Sequence, residues 1–142
     1  MKLIAVAAMV LSTAAVAQPD KDWWACQVVH SSGMQWESNR WVTGAFKKRP
    51  PFVLMSDGNG SITTESVAAG VYGRPEIADL VTCQPSPNYI EGSYVTCLDN
   101  LGSTLFFDPK QGKGGFSIRS GSINTGSRRD SVAVDAFKCT KG

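Results

Sequence analysis

Proton-transfer chemistry in this chain would have to start from His30, its only histidine, or from the acids set in or beside apolar runs: Glu37, Glu65, Asp99, Asp108 and Asp135. No G-x-S-x-G or similar nucleophile motif lies near His30. A triad assembled across strands needs no sequence motif, since triads are spatial. The acids form no recognisable pair of the kind that glycoside hydrolysis uses. Asp135 is the one whose placement matters most. If Phe137 and Cys139 face the interior, alternation turns Asp135 inward too, and a buried carboxylate then needs a cationic partner such as Arg119. The favoured expectation is the opposite parity, with Val132 and Val134 inward and Asp135 in water.

Four cysteines, Cys26, Cys83, Cys97 and Cys139, come without a C-x-x-C pair. A zinc site needs closer ligand spacing or more histidines, so no metal and no cofactor are expected. An even cysteine count behind an export signal reads as disulfides instead. Three pairings are open. The favoured one joins Cys26 to Cys139, tying the first strand to the last, and Cys83 to Cys97, clipping a local hairpin.

Recognition chemistry has two sources. Trp23, Trp24, Trp36 and Trp41 crowd into nineteen residues. Adjacent Trp23 and Trp24 must point to opposite faces of a strand, so one is core and the other is free to anchor a partner. Trp41 beside Arg40 suits a cation–π pair. Lys47, Lys48 and Arg49 form a basic cluster that could meet an acidic partner or lipid phosphates, and Arg128-Arg129 form a second. Two loops imitate better-known sites. The stretch Asp57-Gly58-Asn59-Gly60-Ser61 opens like a calcium loop but has Ile62 and Ala68 where Gly and Glu belong, and so reads as a hairpin turn. Gly112-Lys113-Gly114-Gly115 lacks the Ser or Thr of a P-loop.

The elements that must carry these groups are short strands. Residues 23–30, 34–37, 41–46, 52–55, 61–72, 80–83, 94–98, 103–107, 116–119 and 131–139 are rich in aromatic or β-branched residues and are separated by turn signals. Pro75 could instead open a helical turn within 75–83. No long amphipathic helix occurs. The expected fold is a single all-β domain, an antiparallel β-barrel or sandwich of about eight short strands. The lipocalin G-x-W signature is not met, because Gly33-Met34-Gln35-Trp36 has the wrong spacing.

Met1-Lys2, the apolar run 3–11 and the A-x-A site Ala15-Val16-Ala17 read as a signal peptide cleaved before Gln18. Residues 1–17 are therefore expected to be removed, leaving 18–142 as the disulfide-stapled domain. Export to the periplasm or medium follows, with envelope association open. Of 142 residues, 18% are charged and the net charge is +2. That balance excludes a nucleic-acid binder working through a strongly basic face. No apolar run in the body is long enough to span a membrane. The functional expectation is a non-enzymatic binding module for a small ligand or a protein partner. The alternatives are an inhibitor of an extracellular hydrolase, a small carboxylate-dependent hydrolase, or a structural envelope protein.

Overall fold

The computed structural model describes residues 21–86, 94–120 and 131–142. The expected signal peptide and cleavage site and Arg128-Arg129 lie outside these residues, as does Gly121, where the apolar alternation from Ile118 to Ile123 changes parity and predicts a bulge or tight turn. The described residues form one eight-stranded antiparallel sheet. Its strands are β1 Trp23–Glu37, β2 Arg40–Ala45, β3 Phe52–Met55, β4 Val81–Ser86, β5 Tyr94–Asp99, β6 Thr104–Asp108, β7 Lys113–Ser120 and β8 Ser131–Lys141. The order across the sheet is β2-β1-β8-β7-β6-β5-β4. The long β1 divides one of its edges, pairing with β3 along its first residues and with β2 along its last. Its other edge is covered by β8 from Trp24 to Gln35.

Alternation sets the core. Trp24, Cys26 and Val28 of β1, Phe52 and Leu54 of β3, Val95 and Cys97 of β5, Leu105 and Phe107 of β6, Phe116 of β7 and Phe137 of β8 are all buried in one cluster. Trp24 and Phe107 meet edge to face with ring centroids 5.3 Å apart. Their strands are three steps apart in the sheet, roughly 14 Å in a flat one, so the sheet curls tightly around its buried face. Strand pairing does not close it. A helical stretch instead packs against both edge strands β3 and β4. It comprises α1 Thr64–Ser66, a π-helical turn Val67–Val71 and a 3-10 turn Pro75–Leu80.

That stretch corrects the expected strand over 61–72. Thr63 caps its start, accepting from the Ser66 N–H at 3.4 Å. Ser66 Oγ donates to the Thr63 carbonyl and accepts from Met55 N–H of β3. Val67, Ala68 and Val71 then fall on one helical face and are buried in the core. A second correction concerns 31–33, expected to turn. The chain stays extended there, and the irregularity is a bulge at Val28–His30, which leaves Val29 without a partner in β8. The turn expected at Ser38-Asn39 is present, with φ of 49° and 61°, the paired left-handed conformations of a two-residue hairpin.

Both disulfides join directly opposed residues of neighbouring strands: Cys26 with Cys139 across β1 and β8, and Cys83 with Cys97 across β4 and β5. The Cys139 N–H bonds to the Gly112 carbonyl, away from β1. The Cys26–Cys139 position in the β1–β8 ladder is thus a non-hydrogen-bonded pair, the register at which opposed side chains come closest.

Candidate functional site

Cys139 and Phe137 do face the interior, and this fixes the parity of β8. Asp135 is buried, whereas Val134 is 49% exposed, so the expectation of a solvated Asp135 is reversed. In register, Asp135 lies between Ser31 of β1 and Phe116 of β7, both buried. Its partner is Arg49, from the loop that follows β2. Arg49 Nε is 3.2 Å from Asp135 Oδ2. Arg49 Nη1 donates to the Val71 carbonyl at 2.6 Å, and the guanidinium carbon lies 5.0 Å from the centre of the Phe116 ring. The side chain is thus held on three sides: by a carboxylate, by the end of the helical stretch and by an aromatic face. Burial pushes the Arg49 guanidinium down from its ordinary value, and Asp135 opposes that shift through its charge and hydrogen bond.

Tyr72 completes the cluster. Its ring meets Phe116 edge to face at 5.2 Å. Its hydroxyl is buried with no hydrogen-bond partner. Burial, reinforced by the charge of Asp99, raises the Tyr72 hydroxyl well above its ordinary value, and Arg49 pulls the other way.

Arg49 separates two hollows. One, of about 240 Å³, is walled by Phe46, Lys47, Arg49 and Ile118, with Ser31, Ala133 and Asp135 also lining it. The other runs along Pro50, Pro51, Ala69 and Gly70. Lys47 and Lys48 are exposed, and neither forms an ion pair among the described residues. The first hollow therefore combines a positive rim with a polar floor. Gly33 makes room for one of its walls: a Cβ there would stand 2.1 Å from the Val132 carbonyl and 2.8 Å from the Phe46 ring.

A further cavity, also of about 240 Å³, shares no residue with the first. Asp22, Trp24, Ser56, Ser61, Ile62 and Val95 are among its lining residues. Nε1 of Trp24 and Oγ of Ser61 are both buried without a partner. Each such orphan costs roughly 1–3 kcal/mol.

The remaining candidates are dispersed. Trp23 is exposed, paired with Met55, and Gly142 lies against its ring. Trp36 and Trp41 oppose one another across the β1–β2 hairpin, edge to face at 5.5 Å. Trp41 thus takes another tryptophan as its ring partner, in place of the expected Arg40. His30 is exposed, on the other face of β1 from Ser31 and Asp135. Asp57, Asp99 and Asp108 each cap a turn by accepting backbone N–H groups. No helix among the described residues is long and apolar enough to cross a membrane.

Compared with protein-family models, with curated proteins and with solved structures, the chain matches none.

The functional reading therefore rests on geometry. The basic cluster was visible in the sequence, as was the inward option for Asp135. Their meeting was not, because it depends on how the loop after β2 crosses the buried face. Tyr72 and Ser61 carried no local signal beyond their places in apolar stretches.

Proposed function

We propose that the protein is an exported, non-enzymatic binding module that takes an acidic group of its ligand at the Lys47–Arg49 hollow. One observation carries the reading. A guanidinium is immobilised by a buried carboxylate beside two exposed lysines, at the wall of a hollow with a polar floor. An immobilised cation loses little freedom when it binds an anion, which is what preorganisation contributes to affinity. The engagement of Asp135 by Arg49 also leaves that carboxylate poorly placed to act as a base. The hollow is smaller than the roughly 300–1,000 Å³ typical of drug-sized ligands. It suits a small acid or a single acidic side chain. The signal-peptide pattern of residues 1–17 and the two disulfides support a periplasmic or secreted setting, and the tight curl supports a barrel-like domain.

The test is native mass spectrometry of the oxidised protein recovered from its host without a denaturing step. An acidic molecule released from wild type and depleted in Lys47→Ala supports the reading. Equal occupancy in the two proteins contradicts it.

A second reading is favoured by the outer sheet face. Met34 and Val134 are more than 40% exposed and Trp41 is 37% exposed, and with Trp36 they form an apolar strip across β2, β1 and β8. Such a strip suits a protein partner, as an inhibitor of a hydrolase would need. Affinity capture with wild type and Trp41→Ser separates this reading from the first.

A further inference from the structure

Trp24 Nε1 and Ser61 Oγ are withdrawn from water without partners, yet both residues line one cavity. Trp24 is 4% and Ser61 6% exposed, so neither is a surface group that bulk solvent satisfies. The cavity holds several times the roughly 30 Å³ of one water molecule. We propose that this cavity binds a small neutral polyhydroxylated molecule, of sugar or polyol type.

The lining chemistry selects that class. An indole N–H can only donate, so Trp24 calls for an acceptor. The Ser61 hydroxyl both donates and accepts, and it rotates to suit its partner. The Asp22 carboxylate, also in the lining, is paired with Lys141 and can only accept, so it can take a further donor. A hydroxyl group answers all three. A carboxylate ligand would satisfy Trp24 but has no hydrogen to donate to Ser61 or Asp22. A cation would satisfy Asp22, which Lys141 already pairs at 2.9 Å, and leave Trp24 unanswered. Trp24, Ile62, Val95 and Pro109 supply the apolar surface on which the C–H face of such a ligand lies. Asp57 fixes the turn that carries Ser61, accepting from the N–H groups of Asn59 and Ser61. This site shares no residue with the Lys47–Arg49 hollow and does not depend on the reading of that hollow.

The experiment is a titration of the ¹⁵N-labelled, fully oxidised protein with glucose, glycerol and acetate, followed on the four tryptophan indole N–H signals. Trp24→Phe assigns the relevant signal by its disappearance. The expected result is a saturable shift of that signal with glucose or glycerol and none with acetate. Ser61→Ala, placed in a turn and outside the strands, should weaken the binding about ten-fold, the loss of one hydrogen bond. Three results would overturn the proposal: no saturable shift with either polyol (a cavity that holds water only), acetate binding as well as glucose, or undiminished binding in Ser61→Ala.

Discussion

Replacing Arg49 by Met would leave the Asp135 carboxylate, with 3% of its side chain exposed, without a cationic partner. Breaking a fully buried pair from one side costs roughly 3–5 kcal/mol. The Arg49 side chain is itself 32% exposed, so the lower end applies, about 3 kcal/mol. The lost bond to the Val71 carbonyl falls within that figure. Asp135→Leu alone should cost less, about 1–2 kcal/mol, because the orphaned guanidinium can turn toward water. The double variant Arg49→Met/Asp135→Leu is expected to return to within about 1 kcal/mol of wild type, since apolar replacements of a buried pair are often neutral. The coupling energy is then about 3–5 kcal/mol. Urea denaturation of the four oxidised proteins measures it, provided their m-values agree. An Arg49→Met cost below about 1 kcal/mol, or simple additivity in the double variant, would refute the claim that Asp135 depends on Arg49.

Three further outcomes follow from the same structure. The Tyr72 hydroxyl is held above its ordinary value of about 10, so the unfolded chain releases this proton first. Its contribution is therefore intact below about pH 10 and lost as pH rises toward the native value. Tyr72→Phe should flatten that alkaline decline and, by removing an orphaned hydroxyl, leave stability at pH 8 equal or up to about 1 kcal/mol higher; urea midpoints from pH 8 to 11.5 would show an unchanged slope if burial of this hydroxyl were irrelevant. Removing Cys26–Cys139, which spans 113 residues, should cost about 5 kcal/mol in the chain-entropy model, against about 3 for Cys83–Cys97, which spans 14. Paired alanine variants compared by denaturation should preserve that order. Gly33→Ala should cost about 1–3 kcal/mol through overpacking against the Val132 carbonyl, read as a lowered urea midpoint.

Much of the fold was legible because alternation and turn chemistry are local. Strands 52–55 and 131–139 were visible as apolar runs, the latter extending to Lys141 in the structure, and Ser38-Asn39 read as a turn. The helical stretch after Thr63 was missed because its β-branched and hydroxyl residues are ordinary in strands. Its helical logic lies in the cap at Thr63 and the spacing of Val67 and Val71, which pack only once β3 and β4 are in place. The bulge at Val28–His30 left no trace in the sequence, which reads there as one regular strand; only the structure shows Val29 and His30 both facing solvent. Asp135 shows the limit most clearly. Its parity could be read from Cys139 once that cysteine was placed inward, and the cost of burying a charge argued the other way. The argument from cost failed because the compensating Arg49 is distant in sequence, on a loop with no period of its own.

The central claim is that the Lys47–Arg49 hollow takes an acidic group. The most direct measurement is a ¹⁵N amide map of the oxidised protein titrated with succinate at low and at moderate salt. Saturable shifts are expected at Ser31, Phe46, Lys47, Ile118 and Ala133, with affinity that falls as salt screens Lys47. Saturable shifts centred elsewhere, or only small shifts spread over every exposed lysine, would contradict it.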